Sequence, residues 1–178
     1  MKKLTMILVA MLAVFFCQAQ EEISIEDYRF TISASKAGLM ELKLGQLALT
    51  NASSEEVKLL GQRMITHHTR TNKELKRLAD QRGLFLMGDL DEKQQKRFEK
   101  LAAKKGLEFD KAYTKLMNRG HKKVIKDFEK EITKGEDVEL KSWATATLPV
   151  LEAQMLGNQE IIEVMAKEKL EKLITFKY

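Results

Sequence analysis

The chain has 178 residues, with 31 Lys and Arg against 26 Asp and Glu, for a formal net charge of +5 at pH 7. Its basic residues alternate with acids, as in Glu129-Lys130-Glu131 and Lys167-Glu168-Lys169. That is the pattern of solvated helix faces, and it argues against a nucleic-acid footprint. A single cysteine, Cys17, leaves no intrachain disulfide to form.

The first segment reads as an address. Lys2 and Lys3 make a basic start, Leu4 to Phe16 is mostly apolar, and Cys17-Gln18-Ala19 puts small residues at both key positions before a cut. This predicts a secretory signal over residues 1–19, cleaved after Ala19. The rival is a lipoprotein signal acylated at Cys17; Phe16 speaks against it, because a small residue is usual at that position. The apolar run is short for a membrane span, and no later segment is longer. Cleavage leaves 178 − 19 = 159 residues (20–178), a length typical of one domain, with a charge of 29 − 26 = +3. The expected location is periplasmic or extracellular, with a lipid anchor through Cys17 as the alternative.

From there the chain reads as helix almost throughout, with one proline, nine glycines and long stretches of Leu, Lys, Glu and Ala. A first helix is predicted from about Glu26 to Thr50. Its row Ala34, Gly38, Glu41, Gly45, Ala48 has the 4-3-4-3 spacing of a helix seam. After a turn at Asn51 and Ala52, Ser53 with Glu56 predicts a capping box for a second helix, which Gly83 stops. Its inner stripe is Val57, Leu60, Met64, His68, Thr71, Leu75 and Leu78. Residues 84–107 form a crossover in which Asp89 and Glu92 cap a short helix. A third long helix runs from about Phe109 to Lys134 and ends at Gly135. The fourth starts near Asp137 and reaches about Leu173, with a kink expected at Pro149. The tail from Ile174 to Tyr178 is left open between docking and fraying.

Two hairpins joined by a crossover with its own short helix predict an all-α fold, a ferritin-like four-helix bundle. A simple up-down bundle would need a much shorter central link.

The chemistry centres on ionisable groups that this pattern turns inward: Glu41, His67, His68 and His121. Burying an unpaired charge is costly, so each needs a partner: another side chain, water or a metal ion. A di-iron carboxylate centre needs Glu-x-x-His on two helices. The residues three before His67, His68 and His121 are Met64, Ile65 and Asn118, and the motif occurs nowhere. The zinc-protease pattern, a nucleophile elbow and a glycine-rich phosphate loop are equally missing. These gaps argue against an enzyme.

A simpler metal site remains as a candidate, with Glu41, His67, His68 and His121 as ligands and Gln154 or Glu152 from the last helix. Such donors suit zinc, iron, manganese or copper. Met40, Met64, Met117 and Met155 lie nearby, but methionine is more often an adaptable core filler than a ligand. Folding the first hairpin about Ala52 sets Glu41 opposite Arg63 and Met64. The offset from His68 is about five residues, roughly 7 Å at 1.5 Å per residue. In the second hairpin His121 meets Leu151, with Glu152 and Gln154 within a turn, so His121 with Gln154 is the better-supported pair. The bland alternative is that these groups satisfy one another inside the core.

Taken together, Ala34 to Ala48 with Glu41, Met64-Ile-Thr-His-His68, Phe109-Asp-Lys-Ala-Tyr113 followed by His121, and Leu148-Pro149 resemble one group. The stretch 34–160 is similar to the ferritin-like "domain of unknown function 4142" family of exported bacterial proteins. The resemblance implies an exported helical bundle of unassigned biochemical role. Glu41, His68 and His121 match family positions. His67 stands where the family pattern has Asp, and Gln154 where it commonly has His, so both depart. Fold analogy does not supply the function. The expectation is a non-enzymatic envelope protein that binds a partner or serves in stress; the alternative is a metal-binding protein using the interior Glu and His. The partner, whether protein or metal, and the oligomeric state are left open.

Overall fold

The computed structural model describes residues 23–175; the signal segment expected over 1–19 and the end of the tail lie outside them. The described chain is all-helical, with five helices and no strand. These are α1 (Ile25–Asn51), α2 (Glu55–Gln81), the short α3 (Glu92–Ala102), α4 (Gly106–Lys134) and α5 (Val138–Thr175). No described helix is long and apolar enough to cross a membrane.

The helix starts differ from the sequence reading in instructive ways. Ser54, not Ser53, caps α2, its side chain accepting from the Val57 N–H. The hydroxyl of Ser53 is taken instead by Asp110 of α4, 2.5 Å away. Helix α3 is capped by Asp91 with Gln94 in a reciprocal capping box, two residues beyond the expected Asp89. Asp89 pairs with Lys43. At the end of α2 the chain reverses through Gly83 at φ 66, a left-handed conformation that glycine adopts without strain. Helix α5 continues through Pro149 over 38 residues.

Packing runs around four long helices. Helix α1 packs on α2 and on α4, and α5 packs on α4 and on α2, while α3 lies across α1 and α4. The α1–α2 seam is tight because of its small residues. A Cβ added at Gly45 would come 2.7 Å from the Gly61 carbonyl, and one at Gly61 would come 2.7 Å from the Ala48 Cβ. Only glycine allows the two backbones to meet there.

The buried apolar residues form two clusters. One contains Phe30, Leu75, Val124, Phe128, Leu140 and Leu151, with Trp143 packed against it. The other contains Leu44, Leu60, Met64, Phe109, Tyr113 and Met117. Between them, on every long helix, lies a polar residue: Glu41 on α1, His68 on α2, His121 on α4 and Gln154 on α5, all buried. The same ordering fixes direction. Helices α2 and α4 run from the Met64 cluster toward the Phe128 cluster, and α1 and α5 run the opposite way. Parallel α2 and α4 need a connection that returns along the molecule, which is the job of residues 82–105.

Candidate functional site

The interior polar layer brings three helices to one carboxylate. Glu41 Oε2 lies 2.9 Å from His68 Nε2, and Glu41 Oε1 lies 3.9 Å from His121 Nδ1. Register counting put Glu41 and His68 about five residues apart, and side-chain direction closes that gap. Side chains on a helix lean toward its N-terminus. On α1 this carries Glu41 away from the hairpin turn; on antiparallel α2 it carries His68 toward the turn. The close Gly45–Gly61 approach shortens the distance across the seam as well.

Electrostatics follow from this placement. Burial pushes the Glu41 carboxyl up, but the pull of His68, with smaller contributions from His121 and His67, outweighs it. The net effect is a carboxyl held below its ordinary value, and hence a buried carboxylate. Its closest contact is of ion-pair length, yet the His68 ring N–H does not aim along it, so Oε2 and Nε2 make no well-formed hydrogen bond.

His121 is committed elsewhere. Its Nδ1 lies 3.0 Å from the Met117 carbonyl, an acceptor, so Nδ1 carries a proton. Its Nε2 faces Gln154 Oε1 at 3.4 Å, the pair expected from the second hairpin. Two proton arrangements satisfy this contact: a second N–H on the ring facing Oε1, or a flipped amide donating to the ring. In both, the nitrogen nearest Glu41 is the one bonded to the backbone. Glu41 and His121 therefore do not present lone pairs to a common point. Among the described residues no group of three His, Cys, Asp or Glu side chains is arranged to hold a metal ion.

His67 does not join the layer through a hydrogen bond. It meets His68 edge-on, ring centroids 5.0 Å apart at 81°. Among the described residues no group hydrogen-bonds either of its buried ring nitrogens. Burial, then the neighbouring His68 and Arg70, push its pKa down to about 4, so the ring is neutral at pH 7. Glu152 is exposed on α5 and stands apart from the layer. Met40, Met64 and Met117 fill the apolar cluster, and Met155 packs against the other.

Sequence reasoning missed three further buried polar sites. Asp110 accepts from the backbone of Ser53 and Ser54 at 3.2 and 3.0 Å. Asp27 accepts from the backbone of Glu136 and Asp137 at 3.1 and 3.2 Å. Beside Asp27, Glu131 is fully buried. Burial, then Asp27, push its pKa up to about 8. Glu131 continues the stripe Met117, His121, Val124, Phe128 at helical spacing, a signal that could have marked it as inward-facing. Asn158 sits one turn beyond Gln154 and donates to the Thr114 carbonyl at 3.0 Å.

Comparison with curated proteins and with solved structures finds no match. A match to a family described as Domain of unknown function (DUF4142) spans residues 17–161, from Cys17 through the whole polar layer to Ile161. With most of its length covered, the chain belongs to the DUF4142 family.

Proposed function

We propose that this chain is an exported, non-enzymatic binding protein of the cell envelope, built as a ferritin-like four-helix bundle whose interior polar groups serve the fold. The observation that carries this reading is Glu41, ionised and flanked by His68 at 2.9 Å and His121 at 3.9 Å. A buried carboxylate facing imidazoles from two other helices fixes the register of all three, the best-attested use of buried ionic groups. Export rests on the signal-like segment over residues 1–19, and the bundle on the ring of packed long helices with parallel α2 and α4.

The test is metal analysis of tag-free protein after loading with zinc, copper, iron and manganese and desalting. The structural role predicts well under one metal per chain, unchanged in a His68→Ala/His121→Ala double variant. Stoichiometric metal that disappears in the double variant would overturn it.

One observation favours a second reading as a metal-binding protein. Glu41 Oε2 and His68 Nε2 approach to 2.9 Å without the N–H lying along the contact. Two donors at that separation suit adjacent positions around a first-row divalent ion, at roughly 2.0–2.2 Å from each. Turning the His121 ring about its Cβ–Cγ bond would move its nitrogens, with His67 or Gln154 completing the set. Zinc, iron, manganese and copper all fit such donors. The same loading experiment separates the two readings.

A further inference from the structure

Helices α2 and α5 are the most loosely packed of the neighbouring long pairs, and a groove of about 480 Å³ opens between them. On the α5 side its lining is small or apolar: Val150, Ala153 and Gly157, with Gln154. On the α2 side, Arg63 and Arg70 stand one turn before and one turn after His67. Among the described residues no carboxylate lines the groove. Arg70 is held only loosely, 4.0 Å from Glu74. Among the described residues Arg63 has no ion pair. His67 is only 8% exposed, and both ring nitrogens lack a hydrogen-bond partner. A buried polar group left unmet is destabilising; both ring nitrogens are closed from solvent as the ring stands, and the guanidiniums of Arg63 and Arg70 on either side of it are the donors the groove offers a ligand.

We propose that the α2–α5 groove binds a small organic oxyanion with an apolar body, its carboxylate or phosphate held by Arg63 and Arg70 beside His67. Arginine's fork of donors matches such a head group. The apolar wall at Val150, Ala153 and Gly157 takes the body, and the volume suits a small molecule. This inference deepens the reading as a binding protein by naming a ligand class. It does not depend on the interior pairing of Glu41, and its failure would leave that pairing standing.

The test is calorimetric titration of the full chain with octanoate, octyl phosphate, inorganic phosphate and octylamine. Saturable one-to-one binding of octanoate or octyl phosphate is expected, and the tighter of the two identifies the head group. Inorganic phosphate should bind at least about ten-fold more weakly, and octylamine not at all. Arg63→Gln and Arg70→Gln, both at exposed positions, should each weaken binding about ten-fold without changing the melting temperature. Gly157→Leu supplies the steric test. An added Cβ at Gly157 meets nothing within 4 Å, so the variant should fold and melt no lower while losing the ligand. The proposal is overturned if neither oxyanion binds, if octylamine or inorganic phosphate binds as well as they do, or if the arginine and Gly157 variants bind like the parent.

Discussion

Glu41 is the residue on which most of the interior depends. Replacing it with Gln keeps the shape and removes the charge, so His68 and His121 lose their carboxylate while remaining buried. A loss on the order of 1–3 kcal/mol is expected, seen as a lower melting temperature and urea midpoint with an unchanged helical spectrum. No loss at pH 7 would mean that the carboxylate contributes nothing to stability. Glu131 behaves in the opposite sense. Its folded pKa, about 8, lies above the ordinary 4.5, with burial and then Asp27 as the causes. Between those values the unfolded chain releases a proton that the folded chain keeps, so stability falls as pH rises from about 4.5 to about 8. Glu131→Gln should remove that slope. It should be the more stable protein at pH 8, by roughly 1–3 kcal/mol, and close to the parent at pH 5. Thermal melts of both proteins across that range check this. Equal slopes would show that Glu131 is not the titrating group.

At the scale of elements, the α1–α2 seam decides whether the polar layer can assemble. Gly61→Ala should gain about 1 kcal/mol of helix propensity, but the new methyl would sit 2.7 Å from Ala48 Cβ and 2.8 Å from the Gly45 carbonyl. Backbone atoms cannot swing aside, so the helices must separate, at a cost of roughly 1–3 kcal/mol. The expected net result is a lower melting temperature together with a pH dependence altered by a longer Glu41–His68 contact. An unchanged or raised melting temperature would mean that the seam is slack. This seam also shows how much could be read in advance. The row Ala34, Gly38, Glu41, Gly45, Ala48 was legible as a seam because helical spacing is a one-dimensional signal. The pairing across it was not, because residue counting ignores the opposed lean of antiparallel side chains. The capping shift from Ser53 to Ser54 was hidden for another reason: Asp110, which takes the Ser53 hydroxyl, is 57 residues away. The α2–α5 groove was invisible as well, since it arises from the space between two helices and from no motif on either.

At the scale of the whole molecule, the two hairpins are locked together at both ends by carboxylates that cross between them. Asp110 of the α4–α5 hairpin holds the α1–α2 turn through the backbone of Ser53 and Ser54. Asp27 of the α1–α2 hairpin holds the α4–α5 turn through the backbone of Glu136 and Asp137. A bidentate Arg82–Asp137 pair reinforces the second clasp by tying the end of α2 to the start of α5. Each clasp replaces water on exposed turn amides with a buried acceptor, so its loss should first be felt locally. Asp110→Ala is expected to cost on the order of 1–3 kcal/mol. It should speed hydrogen exchange at the Ser53 and Ser54 amides while Glu136 and Asp137 stay protected. Asp27→Ala should do the reverse, and the double variant should cost about the sum, because distant sites with no shared partner add. Equal loosening of both turns by either single variant would contradict independent clasps. It would mean that opening one end separates the hairpins along their whole length, through the polar layer that joins them at mid-height.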